Sequence, residues 1–172
     1  SKYQKDIIEY IKIYRPIVLS LNVKGEFPED LVDVYLSSNE SKMMAEYGLY
    51  NLLSKPIIVS KLLLQKVVKK PIKIKKLLDY GLNIKHGIFA INETECTLPY
   101  ELSIGYALAL IEMGGAKGIS LVGLDGYDRD DIRQIKMVEL LNLFQNQSSV
   151  PVTALTPTIY NVEQGSIYAR KL

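Results

Sequence analysis

The chain has very few of the residues that build covalent or metal-centred sites. Its 172 residues include one cysteine, Cys96, one histidine, His86, and no tryptophan. A single cysteine excludes an internal disulfide and a cysteine-rich metal site, and a single histidine excludes a two-histidine metal site. We therefore predict no metal site. We expect Cys96 in a polar loop and His86 ahead of a strand, and a cytoplasmic setting fits this cysteine usage.

The chain also lacks long apolar runs and a strong net charge. No stretch approaches the roughly 20 apolar residues of a membrane span, no secretory signal is visible, and the net charge of +2 is too small to indicate nucleic acid. We predict neither a membrane nor a nucleic acid as partner. The lysine-rich segment 61–76 predicts two short helices separated by Pro71, with the lysines on a solvated face. A bound anionic saccharide, a nucleic acid or a partner domain is the alternative for this segment.

Short apolar runs alternate with amphipathic segments along the whole chain. Hydrophobic residues make up 48% of the sequence, enough for one α/β domain with a substantial core. The predicted strands are 17–21, 32–36, 57–59, 87–91, 118–124 and 150–155, and the clearest predicted helices are 2–14, 40–53, 100–113 and 130–145. This alternation predicts a three-layer Rossmann-like domain over 1–172, with a mainly parallel sheet of about six strands and helices on both faces. Because no strand precedes the first helix, we expect a fragment of a longer protein.

Polar residues follow each predicted strand. They are Asn22, Ser38 with Asn39, Ser60, Asn92, Asp125 and Thr156. Buried parallel strands need polar side chains where they reach the surface, which explains each one separately. Together they would line one crevice at the carboxyl edge of the sheet, where open α/β sheets bind ligands. Such a crevice suits a nucleotide, a sugar or a phosphate.

The segment 103–128 is the strongest single αβ unit. Gly114 and Gly115 are suited to ending its helix, and the apolar run 118–124 leads to Asp125 and Gly126. Asp125 is the best single candidate for a site residue, and the alternative is that it caps the next helix. Ser103 lies where helix N–H groups can hold an anion or where its hydroxyl can bond locally. Because the sequence has no Gly-x-Gly-x-x-Gly, P-loop or Gly-x-Ser-x-Gly motif, no catalytic residue is predicted.

Three segments in order resemble a known group of proteins. They are an Asn22-ended strand followed by FPED and the Asn39-ended VYLSSN, the helix start SIGYA, and GAKGISLVGLDGY ending at Tyr127. This order resembles the Rossmann-like fold of bacterial sialyltransferases and related sugar-modifying domains. With the late TPTIY segment, it is more similar to the C-terminal domain of aldolases of the 4-hydroxy-2-oxovalerate aldolase type, from bacterial surface-polysaccharide pathways.

The resemblance implies a set of ligand-binding positions around a cytidine nucleotide-sugar. These positions are Asn22, Asn39, Ser103, Gly105, Asp125 and Tyr127. It also implies an N-terminal aldolase barrel as partner domain, which would make the parent protein a lyase and leave this domain without catalysis or cofactor of its own. A homo-oligomer remains open.

The sequence departs from the sialyltransferase pattern in two places. No histidine follows the turn at Asp125, and no strand with a Gly-x-Gly-Pro-Ser loop precedes the first helix. The expectation is therefore an accessory domain that binds a nucleotide, nucleotide-sugar or sugar phosphate. One alternative is a glycosyltransferase-like enzyme whose catalytic groups lie outside this chain. Another is a packing or oligomerisation module without a ligand.

Overall fold

The computed structural model describes residues 3–25, 27–69 and 71–169 as a mixed α/β structure. Its helices are α1 Gln4–Tyr14, α2 Glu40–Glu46, α3 Lys61–Val67, α4 Ser103–Met113 and α5 Ile132–Gln147. Its strands are β1 Leu19–Leu21, β2 Val34–Leu36, β3 Ile57–Val59, β4 Leu77–Asp79, β5 Gly81–Ile84, β6 Ala90–Ile91, β7 Glu95–Leu98, β8 Ile119–Leu121, β9 Val152–Ala154 and β10 Glu163–Gln164. None of these helices is long and apolar enough to cross a membrane.

The strands of the described residues form three small sheets. One sheet has the order β1-β2-β3-β4 and another has the order β10-β9-β8, and both are fully parallel. In the third, β5-β7-β6, only β6 runs antiparallel to its neighbour. The predicted α/β class and the dominance of parallel pairing are confirmed. The single sheet of about six strands is not seen, because the strands of the described residues divide among sheets of three or four strands.

The lysine-rich segment contains one helix rather than the predicted two. After α3 the chain is irregular and then enters β4, so the prediction of a second helix beyond Pro71 was wrong. Ile72 and Ile74 pack against the core while the intervening Lys73 is exposed, an alternation typical of an extended chain. Lys66, Lys69, Lys73 and Lys76 are exposed, as predicted, and Lys70 lies outside the described residues.

The prediction that Cys96 lies in a polar loop was also wrong. Cys96 is in β7, is only 1% exposed, and pairs with Leu82 of β5. Buried and more exposed residues alternate along β7, so Cys96 and Leu98 point into the core although polar residues surround them in sequence. Burial, with a smaller contribution from Glu95, raises the pKa of the Cys96 thiol to about 12. A thiol in this state is unreactive at neutral pH.

Two clusters of buried side chains form the core. The larger one joins α4 and α5 to β7, β8 and β9, and includes Leu36 of β2. The smaller one packs α2 and α3 on β2, β3 and β4. Helix α4 is buried from Ile104 to Ala109, as expected of a helix that is apolar on all sides. Since Leu36 at the end of β2 lies in the α4 cluster, the start of α4 is held close to that strand end.

The C-terminal tail packs back on the body of the protein. Glu163–Gln164 pairs with β9 as β10, and Ile167 is buried. The Tyr168 hydroxyl donates to Asp6 Oδ2 of α1 over 2.9 Å. The tail, which is described as far as residue 169, therefore packs against β9 and the first helix.

Candidate functional site at the carboxyl ends of β1 and β2

Asn22 ends β1 in a left-handed backbone conformation. Its φ is 66°, which asparagine tolerates better than most residues, and its N–H donates to Leu36 O over 2.7 Å. The side-chain Oδ1 is buried and has no hydrogen-bond partner among the described residues. Asn22 therefore presents an unsatisfied acceptor at the carboxyl end of β1.

Two buried serines follow β2. The Ser37 N–H donates to Ile58 O over 3.1 Å, while the Ser37 hydroxyl is buried beside the Tyr50 hydroxyl. The Ser38 hydroxyl donates to Ser103 Oγ over 3.3 Å. This contact brings together two predicted segments, the end of β2 and the start of α4, that lie 65 residues apart in sequence.

Helix α4 begins at Ser103 without a side-chain cap, because the preceding residue is Leu102. The first turn of a helix carries N–H groups without intrahelical partners and the positive end of the helix dipole. Gly105 has a packing role in this turn: a Cβ there would come within 2.8 Å of Leu140 Cδ1 in α5. Ser103 thus lies at an end suited to an anion, and Gly105 allows α4 to approach α5.

Asn39 lies beside this helix end, but its side chain is engaged. Asn39 Oδ1 caps α2 by accepting from Lys42 N over 3.0 Å. Glu101 Oε1 accepts from Glu40 N over 2.8 Å, and burial raises the pKa of Glu101. The start of α2 is therefore satisfied by two side chains, whereas the start of α4 has no side-chain cap.

A buried polar cluster that sequence reasoning missed lies next to these strand ends. Glu46 is 2% exposed, and its Oε2 accepts from Val23 N over 2.8 Å. Burial raises the pKa of the Tyr50 hydroxyl, and a hydrogen bond with the Ser37 hydroxyl opposes this rise in part. Glu46 follows the buried Met43 by three residues, so helical spacing was the one signal that could have revealed it.

Asp125 and Tyr127 lie in a loop after β8. Asp125 is exposed, and its backbone oxygen accepts from Ile159 N over 3.2 Å. The Tyr127 N–H donates to Gln134 Oε1 over 3.2 Å, and its ring stacks under the Arg133 guanidinium at 4.3 Å. These contacts lead to α5 and to the segment around Ile159. The convergence of Asp125 with Ser103 in one cleft therefore stays a prediction.

The alternative in which Asp125 caps the next helix was wrong. Asp131 caps α5, and its Oδ1 accepts from Arg133 N over 2.8 Å. Its Oδ2 lies 2.5 Å from the Arg133 guanidinium, and these hydrogen bonds lower the pKa of Asp131. Asp125 is thus left free of a capping role.

The polar residues that follow the remaining strands form hydrogen bonds with adjoining backbone groups. Ser60 caps α3 by accepting from Leu63 N, and Asn92 Oδ1 accepts from the N–H groups of Thr94 and Glu95. Thr156 Oγ1 accepts from Gly123 N over 3.0 Å and ties the ends of β8 and β9 together. Local hydrogen bonding therefore accounts for these three residues.

Two surface hollows lie elsewhere, one beside the C-terminus of α1 and one around Thr156 and the tail. Among the residues described, no group of three or more histidine, cysteine, aspartate or glutamate side chains is placed to hold a metal ion. His86 is exposed, with Nδ1 3.9 Å from Glu139 Oε1. No known protein family, curated protein or solved structure matches this chain.

Proposed function

We propose that this chain is an accessory domain that binds a nucleotide-sugar or sugar phosphate at the carboxyl ends of β1 and β2. In this proposal it belongs to a longer protein of the aldolase type, with an N-terminal barrel that carries the chemistry. The observation that carries the binding proposal is the buried, unpartnered acceptor Asn22 Oδ1 at the end of β1, near the uncapped start of α4.

Unpartnered buried polar atoms are rare because each costs about 1–3 kcal/mol. Asn22 Oδ1 is such an atom at the end of β1, and Ser38, after the adjacent strand β2, contacts Ser103. A ligand with hydroxyl or amide donors would satisfy Asn22 Oδ1. The half-buried Ser103 hydroxyl could donate to the ligand while it accepts from Ser38. This set matches the hydroxyl-rich surface of a sugar.

The start of α4 suits the charged part of the same ligand. Its free N–H groups and dipole favour a phosphate, and the neighbouring Glu101 carboxylate accepts from Glu40 N at the start of α2. We assign the phosphate to Ser103 and the first turn of α4, and the sugar or base to Asn22. The side chain of Asn39, engaged at α2, would have to leave its cap to take part.

We further propose that the two fully parallel sheets belong to one Rossmann-like layer. Leu19 and Leu21 of β1 and Leu36 of β2 pack in the same cluster as β8 and β9. In such a layer Asp125 and Tyr127 would reach the same edge as Asn22. Asp125 would then accept from ligand hydroxyl groups rather than contact phosphate, since two anions repel.

Titration calorimetry tests the binding proposal. Cytidine and uridine mono- and diphosphates, a cytidine nucleotide-sugar and inorganic phosphate are titrated into wild type, Ser103→Ala and Asn22→Gly. Glycine fits the left-handed backbone at position 22, and Ser149→Ala, at an exposed serine ahead of β9, is the control. We expect each site variant to weaken binding by about 1–3 kcal/mol and the control to leave it unchanged. Absence of binding to wild type would reject the proposal.

Asp125→Ala tests whether the β8 loop belongs to the same site. If Asp125 accepts from a ligand hydroxyl, its loss should weaken nucleotide binding by about 1–3 kcal/mol, as for a lost charge-assisted hydrogen bond. The same calorimetric series measures this. Equal affinities of wild type and Asp125→Ala would remove Asp125 from the site without affecting the assignment of Ser103 and Asn22.

A further inference from the structure

A groove lies at the amino end of β1, on a different part of the molecule from the strand ends assigned above. It runs between the C-terminus of α1, the segment leading into β1, and the turn around Leu31. Its lining includes Ile11, Lys12, Arg15, Ile17, Asp30 and Leu31. The proposed ligand site uses none of these residues.

Ile17 projects from the rim of this groove. It is 86% exposed, more than any other large apolar side chain in the described part of the chain. Ile11 and Leu31, also in the lining, are only partly buried. An apolar projection beside a concave and partly apolar surface is typical of a contact region, because the apolar parts of both gain by leaving water. The chain therefore carries both a projection and a recess for it.

The charges around the groove are of both signs. Lys12 and Arg15 come from α1 and its C-terminal cap, while Asp30 and Asp33 come from the turn before β2. Asp33 Oδ2 accepts from Val18 N over 2.8 Å. Within the described ranges, Lys12, Arg15 and Asp30 form no salt bridge with one another or with other residues. A purely basic partner would complement only the aspartates of this groove, and a purely acidic partner would complement only Lys12 and Arg15.

We propose that the groove is the interface of a symmetric dimer of this chain. A twofold axis through it brings Lys12 and Arg15 of each copy to Asp30 and Asp33 of the other, and it seats Ile17 of each copy against the partner's groove. A twofold interface requires a self-complementary surface, and this groove carries charges of both signs together with the exposed Ile17 side chain. The proposal is independent of ligand binding at Asn22 and Ser103.

Sedimentation equilibrium over a concentration series tests the dimer. We expect wild type to associate reversibly and Ile17→Asp to weaken association at least tenfold, because a carboxylate would replace the apolar projection. Leu62→Asp is the matched control, since Leu62 is 64% exposed on α3, outside the groove. Wild type that stays monomeric at all concentrations, or equal effects of the two variants, would overturn the proposal.

Charge exchange tests the symmetry of the interface. Arg15→Glu and Asp30→Arg should each weaken self-association, because each places like charges opposite one another in both halves of the dimer. An equimolar mixture should associate again, since both contacts of the mixed dimer then join opposite charges. Circular dichroism verifies that both variants are folded. A mixture that associates no better than the separate variants would contradict a twofold interface at this groove.

Discussion

Gly105 illustrates how one missing side chain positions an element of the candidate site. In sequence it is a predicted ligand-binding position, but in the structure it faces Leu140, which is fully buried in α5. The Ser103 hydroxyl, two residues earlier, contacts Ser38. The close approach of α4 to α5 therefore also fixes where the start of α4 meets β2.

At this scale we predict opposite effects for two glycine substitutions. In Gly105→Ala the added Cβ lies 2.8 Å from Leu140 Cδ1, so overpacking should outweigh the gain in helix propensity and lower the free energy of unfolding by about 1–2 kcal/mol. In the control Gly48→Ala the Cβ meets nothing within 4 Å, and stability should rise by up to about 1 kcal/mol. Urea unfolding measures both, and a more stable Gly105→Ala variant would contradict the packing argument.

Helix α4 connects the sheets at the scale of elements. The Tyr106 hydroxyl donates to Tyr80 O, between β4 and β5, and the Tyr80 hydroxyl donates to the carbonyls of Asn92 and Glu95. The two rings lie 5.7 Å apart. This chain of contacts leads from α4 through the β4–β5 junction to the start of β7, and it stabilises the framework around the candidate site.

Removing one hydroxyl from this connection should be costly. Tyr106→Phe keeps the ring but leaves the Tyr80 carbonyl without this buried donor, and we expect the free energy of unfolding to fall by about 1–3 kcal/mol. The control is Tyr168→Phe, whose exposed hydroxyl donates to Asp6 and whose loss should cost no more than about 0.5 kcal/mol. Chemical denaturation measures both, and equal small effects would show that the α4 contact adds little stability.

At the scale of the whole molecule, the buried tyrosine hydroxyls and the buried cysteine thiol predict a loss of folding stability at alkaline pH. Burial, with smaller contributions from neighbouring groups, raises the pKa of Tyr80 from 10.0 to about 12 and that of Cys96 from 9.0 to about 12. The pKa of Tyr106 is also raised, mainly by burial. Above pH 9 the unfolded chain loses protons that the folded chain retains. The folded state is therefore favoured fully below this pH and loses stability as the pH rises.

We expect the free energy of unfolding to be steady from about pH 7 to 8.5 and then to fall, with each group contributing at most about 1.4 kcal/mol per pH unit. The fall should steepen above about pH 10, where the unfolded tyrosines begin to ionise. Denaturation at a series of pH values measures this. Cys96→Ala should remove only the part of the fall in the free energy of unfolding that begins near pH 9. A wild-type stability that stays unchanged between pH 9 and 11 would contradict the prediction.

Periodicity and turn residues predicted the larger elements well. The apolar run before Ser60 is β3, the Gly114-Gly115 pair follows α4, and the run after Gly118 is β8. The strands that were missed, β4, β5, β7 and β10, carry charged or polar residues that hide their alternation. Burial of Cys96 and Tyr80 comes from pairing with distant strands and from α4, which no local window contains.

The sequence by itself determined the α/β class, the order of the main helices and strands, and the positions of Asn22, Asn39 and Ser103 at element ends, because these follow from local patterns of apolar and turn residues. The tertiary structure decided which of these residues meet. It brings Ser38 to Ser103, commits Asn39 to α2, and buries Asn22 Oδ1 without a partner. Such contacts depend on how helices pack on sheets, and a linear pattern carries no information about the hydrogen bonds that remain unmade.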